Sequence, residues 1–229
     1  MARERASARR PWWRRWPTMV GAAVALVVTL ALVAWFSPAL SLRTVEVEGA
    51  RAVPQRQIIG SLDISEGTPL LQVDTDAAAQ RVSRIAKIAS VRVRRVLPST
   101  IRVTVVERVA AVFFDSPQGT RLLDGSGVQF GIEPPPPGVP RLVSPAPATS
   151  NPVTQSALEV LAQMPPELRA QVGEIVAQSV SDISVKLRDG KLVVWGSKDN
   201  SARKGEVALA VLTQPGKVYD VSSSVPTVR

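Results

Sequence analysis

Ser201 and Lys204 stand in an S-x-x-K pattern, the spacing at which a lysine can help to activate a serine nucleophile. In penicillin-interacting enzymes this pattern is accompanied by S-D-N and K-T-G segments, and neither follows it here. A serine directly before an apolar helical segment also serves as a helix cap. We therefore interpret Ser201 as the N-cap of a helix over residues 202–212.

Two further segments could bind ions. Asp74 and Asp76 flank Thr75, but the later acidic ligands of a calcium loop are missing, so we predict that Asp74 or Thr75 caps a helix. Residues 124–127 (D-G-S-G) are not followed by the G-K-[ST] of a phosphate loop.

The 229-residue chain contains no His and no Cys, which excludes Ser-His-Asp and Cys-His catalysis, disulfides and the usual zinc sites. We predict a protein that is not an enzyme, with no catalytic residue, metal site or cofactor.

The formal charge of +9 is unevenly distributed along the chain. Residues 1–17 contain six Arg and one Glu, which gives +5, whereas the 22 basic and 18 acidic residues from Arg43 onward give only +4. The few aromatic residues after Arg43 are scattered instead of alternating with basic ones, as a nucleic-acid surface would require. We therefore predict no nucleic-acid partner and no small-molecule substrate.

Residues 16–42 contain no charged side chain. We predict a transmembrane helix over residues 18–36, because ~19 residues at about 1.5 Å each span roughly 28 Å of hydrocarbon. Four tryptophans are placed as membrane-interface anchors, namely Trp12, Trp13, Trp16 and Trp35. The alternative is a secretory signal cleaved at residues 37–39 (S-P-A), but the apolar run exceeds the about 7 to 15 residues typical of a signal.

The arginine-rich tail predicts the orientation of this anchor. Positive charge stays on the cytoplasmic side of a membrane, so residues 1–17 should be cytoplasmic and the remainder extracytoplasmic. The sequence thus predicts a single-pass type II protein of the cell membrane.

Beyond the anchor, the pattern predicts a strand, two helices and two strands within about 65 residues. The first strand lies at residues 45–49, the first helix opens at Pro54, and the second helix extends from Asp74 or Thr75 to about Ala89. The two following strands, at residues 91–96 and 101–106, alternate Val or Ile with Arg92, Arg94 and Arg102. Their basic face is either solvated or a ligand-binding surface.

From Ala110 onward the sequence predicts short strands and turns. Strands are expected at residues 111–115, 120–123 and 128–132, and residues 139–143 are expected to form an edge strand in the proline-rich segment 134–152. A helix at 155–164 precedes a hairpin of residues 183–187 and 191–195, and after the helix at 202–212 a final strand is expected at 217–222.

Several of these segments are similar to the FtsQ/DivIB family of bacterial cell-division proteins. The resemblance covers nearly the whole chain: the Arg-rich tail, the anchor, V-E-V-E-G at residues 45–49, and the hairpin V-R-V-R-R-V-L-P-S-T-I-R-V-T-V-V-E-R at residues 91–108. It continues with L-L-D at 122–124, V-P-R-L at 139–142, Lys204, and V-Y-D-V at 218–221. Leu97 and the proline content of residues 134–152 depart from the family pattern.

The resemblance implies an α+β protein with five segments. They are a cytoplasmic tail (1–17), a transmembrane helix (18–36), a POTRA domain of βααββ order (43–109), a mostly antiparallel β domain with flanking helices (110–224) and a C-terminal tail (225–229). It also implies a non-enzymatic scaffold of the divisome at the division septum, which binds FtsB/DivIC-like and FtsL-like proteins and helps to control septal peptidoglycan synthesis.

Within that framework we predict two partner-binding surfaces. The final strand should leave one edge open for strand addition, with Tyr219 as its aromatic anchor; the alternative is that Tyr219 is an ordinary core residue. This edge is expected to comprise Val218, Tyr219, Asp220, Val221, Ser222 and Ser223. A second surface around Arg92, Arg94 and Arg102 would recruit another divisome member or approach anionic wall polymer.

Two other classes of protein compete with this interpretation. A POTRA-bearing accessory protein of an envelope secretion or assembly system would need repeated POTRA modules or a large barrel, and this chain has neither. An anchored hydrolase is disfavoured by the absence of His and of a carboxylate constellation.

Overall fold

The computed structural model describes residues 16–36, 40–223 and 225–229. The chain divides into two compact units. The first contains the residues up to Arg84 together with Ser90–Val106, and the second contains Ile85–Ala89 and Glu107–Arg229. A short piece of chain from the middle of the first unit thus belongs to the second.

Among the described residues the chain forms six α-helices and twelve strands. The helices are α1 (Trp16–Phe36), α2 (Gln55–Leu62), α3 (Thr75–Ser83), α4 (Pro152–Gln163), α5 (Pro166–Arg169) and α6 (Ser201–Val211). The strands are β1 (Thr44–Glu48), β2 (Ile88–Val96), β3 (Thr100–Glu107), β4 (Val112–Ser116), β5 (Gly119–Leu123), β6 (Gln129–Ile132), β7 (Arg141–Val143), β8 (Val172–Ser179), β9 (Asp182–Leu187), β10 (Leu192–Gly196), β11 (Val218–Asp220) and β12 (Thr227–Val228).

Helix α1 covers the predicted anchor and contains 21 residues without a charge. Part of that anchor lies outside the residues whose side chains the structure describes. Within the described residues, none of the helices meets both the length and the apolarity needed to cross a membrane.

The first unit has the strand, helix, helix, strand, strand order that the sequence predicts. Its sheet has the order β1-β3-β2, with β1 parallel to β3 and Glu46 opposite Arg102. One face of β3 is buried because Ile101, Val103 and Val105 alternate with polar residues. The apolar residues of α2 and α3 are also buried, namely Ile58, Leu62, Ala78 and Val82.

Helix α3 begins as predicted but ends earlier. The Asp74 carboxylate accepts hydrogen bonds from the backbone N–H groups of Asp76 and Ala77 at 3.0 and 2.9 Å, so Asp74 is the N-cap. The helix ends at Ser83 instead of Ala89, and Ile88 already begins strand β2. Apolar residues at 82, 85 and 89 fit one face of a helix, which favours the longer helix. Ala89 nevertheless lies in β2, whose first residue, Ile88, is buried.

The second unit is built on a nine-stranded sheet with the order β12-β11-β10-β9-β8-β7-β4-β5-β6. Five of its eight neighbouring pairs are antiparallel, and the parallel ones join β4 to β7, β7 to β8, and β10 to β11. The prediction of a mostly antiparallel sheet with helices is therefore confirmed. Its core includes Trp195 and Tyr219 from the sheet with Leu158 and Leu161 from α4.

Strand β7 lies inside this sheet, so the prediction of an edge strand at residues 139–143 is wrong. Pro140 lacks an N–H, but its carbonyl accepts a hydrogen bond from the Phe113 N–H at 3.1 Å. The strand begins at the next residue, Arg141, and pairs with β4 on one side and β8 on the other. A proline is tolerated there because it precedes the first residue of the strand.

The sequence did not predict β8, α5 or β12. Register shifts at both ends of β8, near Val172 and near Ser179, interrupt its alternation of buried and exposed residues. Helix α5 has four residues and β12 has two, which is too short for a periodic signal.

Candidate partner-binding surfaces

The C-terminal strands show that β11 is not an open edge. It pairs in parallel with β10, where Val193 faces Tyr219, and antiparallel with β12, where Tyr219 faces Val228. Strand β12 lies outermost in the sheet. The predicted edge at residues 218–223 is therefore corrected: the chain turns back after β11 and covers it with its own last residues.

Tyr219 is a core residue, so the prediction that it anchors a partner is wrong and the alternative of a core position is confirmed. Its side chain has no exposed surface. Its hydroxyl lies 2.8 Å from the Gln214 carbonyl oxygen and 2.9 Å from that of Gly216, to which it donates. The period of two along β11 directs Tyr219 and Val221 to the same buried side.

The residues after β11 form the turn that leads to β12. Val221 is buried and its N–H donates to the Val194 carbonyl at 3.0 Å. Ser222 and Ser223 are exposed. Hydrogen bonds from the Ser222 hydroxyl and backbone N–H lower the pKa of Asp220 below its usual range. This turn is held by local polar contacts, whereas the apolar side chains beneath it belong to the core.

Strand β12 presents the open edge. Val218 and Arg229 exchange both of their backbone hydrogen bonds, each at 2.9 Å. In an antiparallel ladder such pairs alternate with pairs that are not hydrogen-bonded to each other. Val228 occupies the alternate position, so its N–H and C=O point away from β11.

Residue 216 controls how closely β12 approaches the sheet. A Cβ atom added to Gly216 would lie 2.5 Å from the Val228 Cγ1 atom and 3.3 Å from the Arg229 carbonyl oxygen. A side chain at residue 216 would therefore require the Val228 side chain or β12 to shift. The absence of a side chain at Gly216 thus allows the last residues to dock.

A groove of about 190 Å³ lies beside the turn after β11. It is lined by residues of the 197–207 segment, among them Arg203, Lys204 and Val207, and by Val221, Ser222 and Ser223. The Lys204 ammonium donates to the carbonyl oxygens of Trp195 at 3.1 Å and Ser197 at 2.9 Å. Burial lowers the pKa of Lys204.

The S-x-x-K pair belongs to the packing of α6. Ser201 is fully buried, accepts a hydrogen bond from the Trp195 indole N–H at 2.9 Å and donates to the Lys198 carbonyl at 2.7 Å. It is the first residue of α6, and the N-cap is Asn200, whose φ is +55°. The prediction of Ser201 as N-cap is therefore displaced by one residue.

The D-G-S-G segment is a turn organised around Asp124. Its carboxylate accepts hydrogen bonds from the Ser126 N–H and hydroxyl and the Val128 N–H, and it pairs with Arg108. Burial acts to raise the pKa of Asp124, but these hydrogen bonds together lower it.

The basic face of the first sheet separates into two parts. The Arg102 guanidinium is bound to the Glu46 carboxylate at 2.9 and 3.0 Å and lies 3.2 Å from that of Glu48. The hydrogen bond to Glu46 raises the pKa of Arg102. Arg92 and Arg94 are exposed on the same face and have no ion-pair partner among the described residues. The structure thus assigns free positive charge to two of the three predicted arginines.

The side chains of the predicted membrane-interface anchors lie outside what the structure describes. Trp12 and Trp13 precede the described residues, and Trp16 and Trp35 lie in α1 at positions whose side chains are not described.

Val228 and Arg229 lie in the segment 225–229, for which the sequence predicts a C-terminal tail instead of a strand. The available signal was weak: a proline followed by the β-prone pair Thr227 and Val228.

Comparison with known proteins places both units in one family. A family model described as "POTRA domain, FtsQ-type" matches residues 40–108, and one described as "Cell division protein FtsQ/DivIB, C-terminal" matches residues 111–223. The cell division protein FtsQ of Mycobacteroides abscessus is 48% identical over 212 residues, which cover 89% of this chain and 68% of that protein. Its counterpart in Mycobacterium tuberculosis H37Rv is 44% identical over 213 residues, covering 93% and 67%.

A more distant relative matches over almost its entire length. The cell division protein FtsQ of Corynebacterium glutamicum is 33% identical over 214 residues, which are 92% of this chain and 96% of that protein. The chain spans about two thirds of the mycobacterial relatives that it matches. On the strength of both domain matches and these identities, the chain belongs to the FtsQ/DivIB family of cell division proteins.

Proposed function

We propose that the chain is a single-pass membrane scaffold of the divisome that captures FtsB/DivIC-like and FtsL-like proteins by strand addition at its C-terminal edge. In this role it helps to control septal peptidoglycan synthesis and performs no catalysis itself. The observation that carries the proposal is the open outer side of β12, where Val228 directs its N–H and C=O away from the sheet.

Strand addition suits the composition of this edge. An added strand bonds to backbone groups that are otherwise left to water, and side-chain contacts select the partner. The side chains of Thr227 and Val228 are uncharged, and the charge next to them is that of the exposed Arg229. The short length of the edge means that further contacts must come from nearby surface.

The groove beside the turn supplies such surface. Val207 and Val221 contribute apolar atoms to it, and Arg203 and Lys204 contribute positive charge. A partner with an aromatic or aliphatic residue next to a carboxylate would fit this combination.

The membrane anchor is proposed from the first 42 residues. The support comes from the uncharged segment 16–42, the 21-residue helix α1 and the six arginines before it. The N-terminus would be cytoplasmic, and both units would lie outside the membrane at the division septum.

The test is a proline substitution at the outward-facing position. Val228→Pro removes the N–H that points away from β11, so capture of the FtsB-like protein from the same organism should weaken by about tenfold, from one lost hydrogen bond and steric obstruction of the edge. Val228→Ile, which keeps the N–H, is the matched control. Affinity would be measured by biolayer interferometry on the full-length protein.

Thermal unfolding of both variants shows whether β12 is still docked. Unchanged affinity for a correctly folded Val228→Pro variant would show that this edge does not capture the partner.

A further inference from the structure

The turn between β2 and β3 lies next to the point where the chain arrives from α1. The N–H groups of Arg43 and Thr44 both donate to the carbonyl of Ser99 in this turn, at 2.9 and 3.2 Å. Strand β1 runs parallel to β3, with Thr44 opposite Thr100. The beginnings of both strands and the turn before β3 therefore share one end of the first unit.

A short 3-10 helix, Leu70–Gln72, belongs to the same end. The Leu42 N–H donates to the Thr68 carbonyl at 2.9 Å, and the Arg95 guanidinium donates to the Val73 carbonyl at 2.6 Å. These hydrogen bonds join the arriving chain and the end of β2 to the residues on either side of the helix. Three separate stretches of chain thus meet at this end.

Apolar side chains are exposed here. Leu97 is 62% exposed, more than any other large apolar side chain in the described part of the first unit outside α1. Pro98 is exposed as well, and Leu71 is 37% exposed. Neighbouring exposed apolar side chains indicate a contact site. We call Leu71, Leu97, Pro98 and Arg43 together the tip surface.

The charges at the tip surface nearly balance. Arg43 is exposed, and its side chain has no hydrogen-bond or ion-pair partner among the described residues. Two carboxylates are close along the chain: Asp74 caps α3, and Glu66 is exposed. Charge alone would therefore attract an anionic surface only weakly. Exposed leucines beside an unpaired arginine instead suit a lipid interface, where apolar atoms enter the acyl boundary and the guanidinium stays among the head groups.

The spacing along the chain brings a bilayer within reach of this surface. Helix α1 ends at Phe36, and the described chain resumes at Leu40, four residues later. Four residues span at most about 14 Å when fully extended. With α1 as the proposed anchor, the tip surface is held beside the lipid at a high effective concentration, so a few apolar atoms suffice for contact.

We propose that the tip surface binds the membrane that holds α1. Leu97 and Leu71 enter the boundary between head groups and acyl chains, and Arg43 binds lipid phosphate. The contact holds the first unit against the bilayer in a defined orientation. This inference deepens the proposed function: it rests on the membrane anchor but not on partner capture at β12.

The absence of cysteine allows single labelling sites to be introduced. A bimane fluorophore would be attached at Ser99→Cys in the turn or, for comparison, at Ser90→Cys near the start of β2. Residue 90 lies about 20 Å along the strand from the last residue of β2. The full-length protein would be placed in nanodiscs of phosphatidylcholine and phosphatidylglycerol in which some lipids carry a nitroxide on the head group. We expect stronger quenching at residue 99 than at residue 90.

Substitution of the exposed leucine separates lipid contact from mere proximity. Leu97→Asp should reduce quenching at residue 99 by about half, because transfer of a leucine out of water is favourable and that of a carboxylate is not. Val106→Asp is the matched control, since Val106 is 56% exposed near the far end of β3, and it should leave quenching unchanged. Arg43→Glu should also lower quenching, because phosphate is then repelled.

Urea unfolding should give the same stability for Leu97→Asp and the parent, since the side chain is largely exposed. Leu97→Ala, which adds no charge, is the second variant and should lower quenching in the same direction.

Three results would overturn the proposal. Quenching at residue 99 no stronger than at residue 90 would leave the exposed leucines to a protein partner. Unchanged quenching in both Leu97 variants would assign the proximity to the tether alone. Equal losses for Leu97→Asp and Val106→Asp would reduce the effect to added negative charge. Failure of the proposed anchor is distinguishable from all three, because the protein would then separate from the nanodiscs during gel filtration.

Discussion

At the scale of single residues, Tyr219 is of a type common at interfaces, but its side chain is part of the hydrophobic core. Its ring is fully buried, and its hydroxyl donates to carbonyl groups in the turn before β11. Any effect of Tyr219 on partner capture must therefore act through the position of β11 and β12. A direct contact with a partner would require an exposed side chain, and the side chain of Tyr219 is fully buried.

Substitutions at Tyr219 should accordingly change stability first. We expect Tyr219→Ala to lower the free energy of unfolding by about 3–5 kcal/mol, the cost of truncating a buried aromatic side chain. Tyr219→Phe, which keeps the ring, should lose only about 0.5–1.5 kcal/mol for the hydrogen bond. Urea unfolding of the full-length protein measures both. A Tyr219→Ala variant that is as stable as the parent yet fails to capture its partner would restore the interface role.

At the scale of elements, the C-terminal edge depends on the docking of a two-residue strand. β12 is fixed by its hydrogen bonds to β11 and by the close approach of Val228 to Gly216. The predicted final strand corresponds to β11, which is paired on both sides, and the open edge belongs to β12. The sequence does not predict β12 because the strand has only two residues and the turn that connects it to β11 has little strand propensity.

We expect Gly216→Ala to displace β12. The new methyl group would lie 2.5 Å from Val228 Cγ1 and 3.3 Å from the Arg229 carbonyl oxygen, so we expect β12 to shift outward to relieve the overlap. Amide exchange at Val228 and Arg229 should become faster and partner capture weaker. Gly125→Ala is the control in the same unit, since no atom lies within 4 Å of the added Cβ and its φ is not in the left-handed region. Unchanged exchange at Val228 in the Gly216→Ala variant would show that this contact does not hold the strand.

At the scale of the whole molecule, the charge distribution separates two roles. Five of the nine net positive charges lie in residues 1–17, where they would orient an anchor. Beyond Arg43 the charges nearly balance, and many are paired, as in the Arg102 and Asp124 contacts. Unpaired positive charge on Arg92 and Arg94 is therefore a local feature of one strand and does not reflect a generally basic surface.

Localisation tests the proposal for the entire chain. A fluorescent fusion to the N-terminus should form a band at midcell, and depletion should arrest division, because a scaffold of the septum acts where it is recruited. Imaging of living cells through one division cycle is the measurement. A uniform membrane signal with normal division would contradict the proposed role, and a fusion lacking residues 1–36 serves as the unanchored control.

Features that depend on local pattern follow directly from the amino-acid sequence. Helix α3 begins where Asp74 can cap it, the hairpin of β2 and β3 follows from alternating apolar and charged residues, and the balance of charge follows from counting. The absence of His and Cys limits the possible chemistry whatever fold the chain adopts. Residues that are close along the chain are enough to specify each of these features.

Which strands are edges depends on long-range pairing and is seen only in the folded chain. Whether β7, β11 or β2 has a free side depends on partners that lie tens of residues away, and periodicity within a strand contains no information about them. The same holds for the three arginines, since only the parallel pairing of β1 with β3 places Glu46 and Glu48 next to Arg102 and leaves Arg92 and Arg94 unpaired. Local sequence sets which face a side chain occupies, and long-range pairing sets what that face meets.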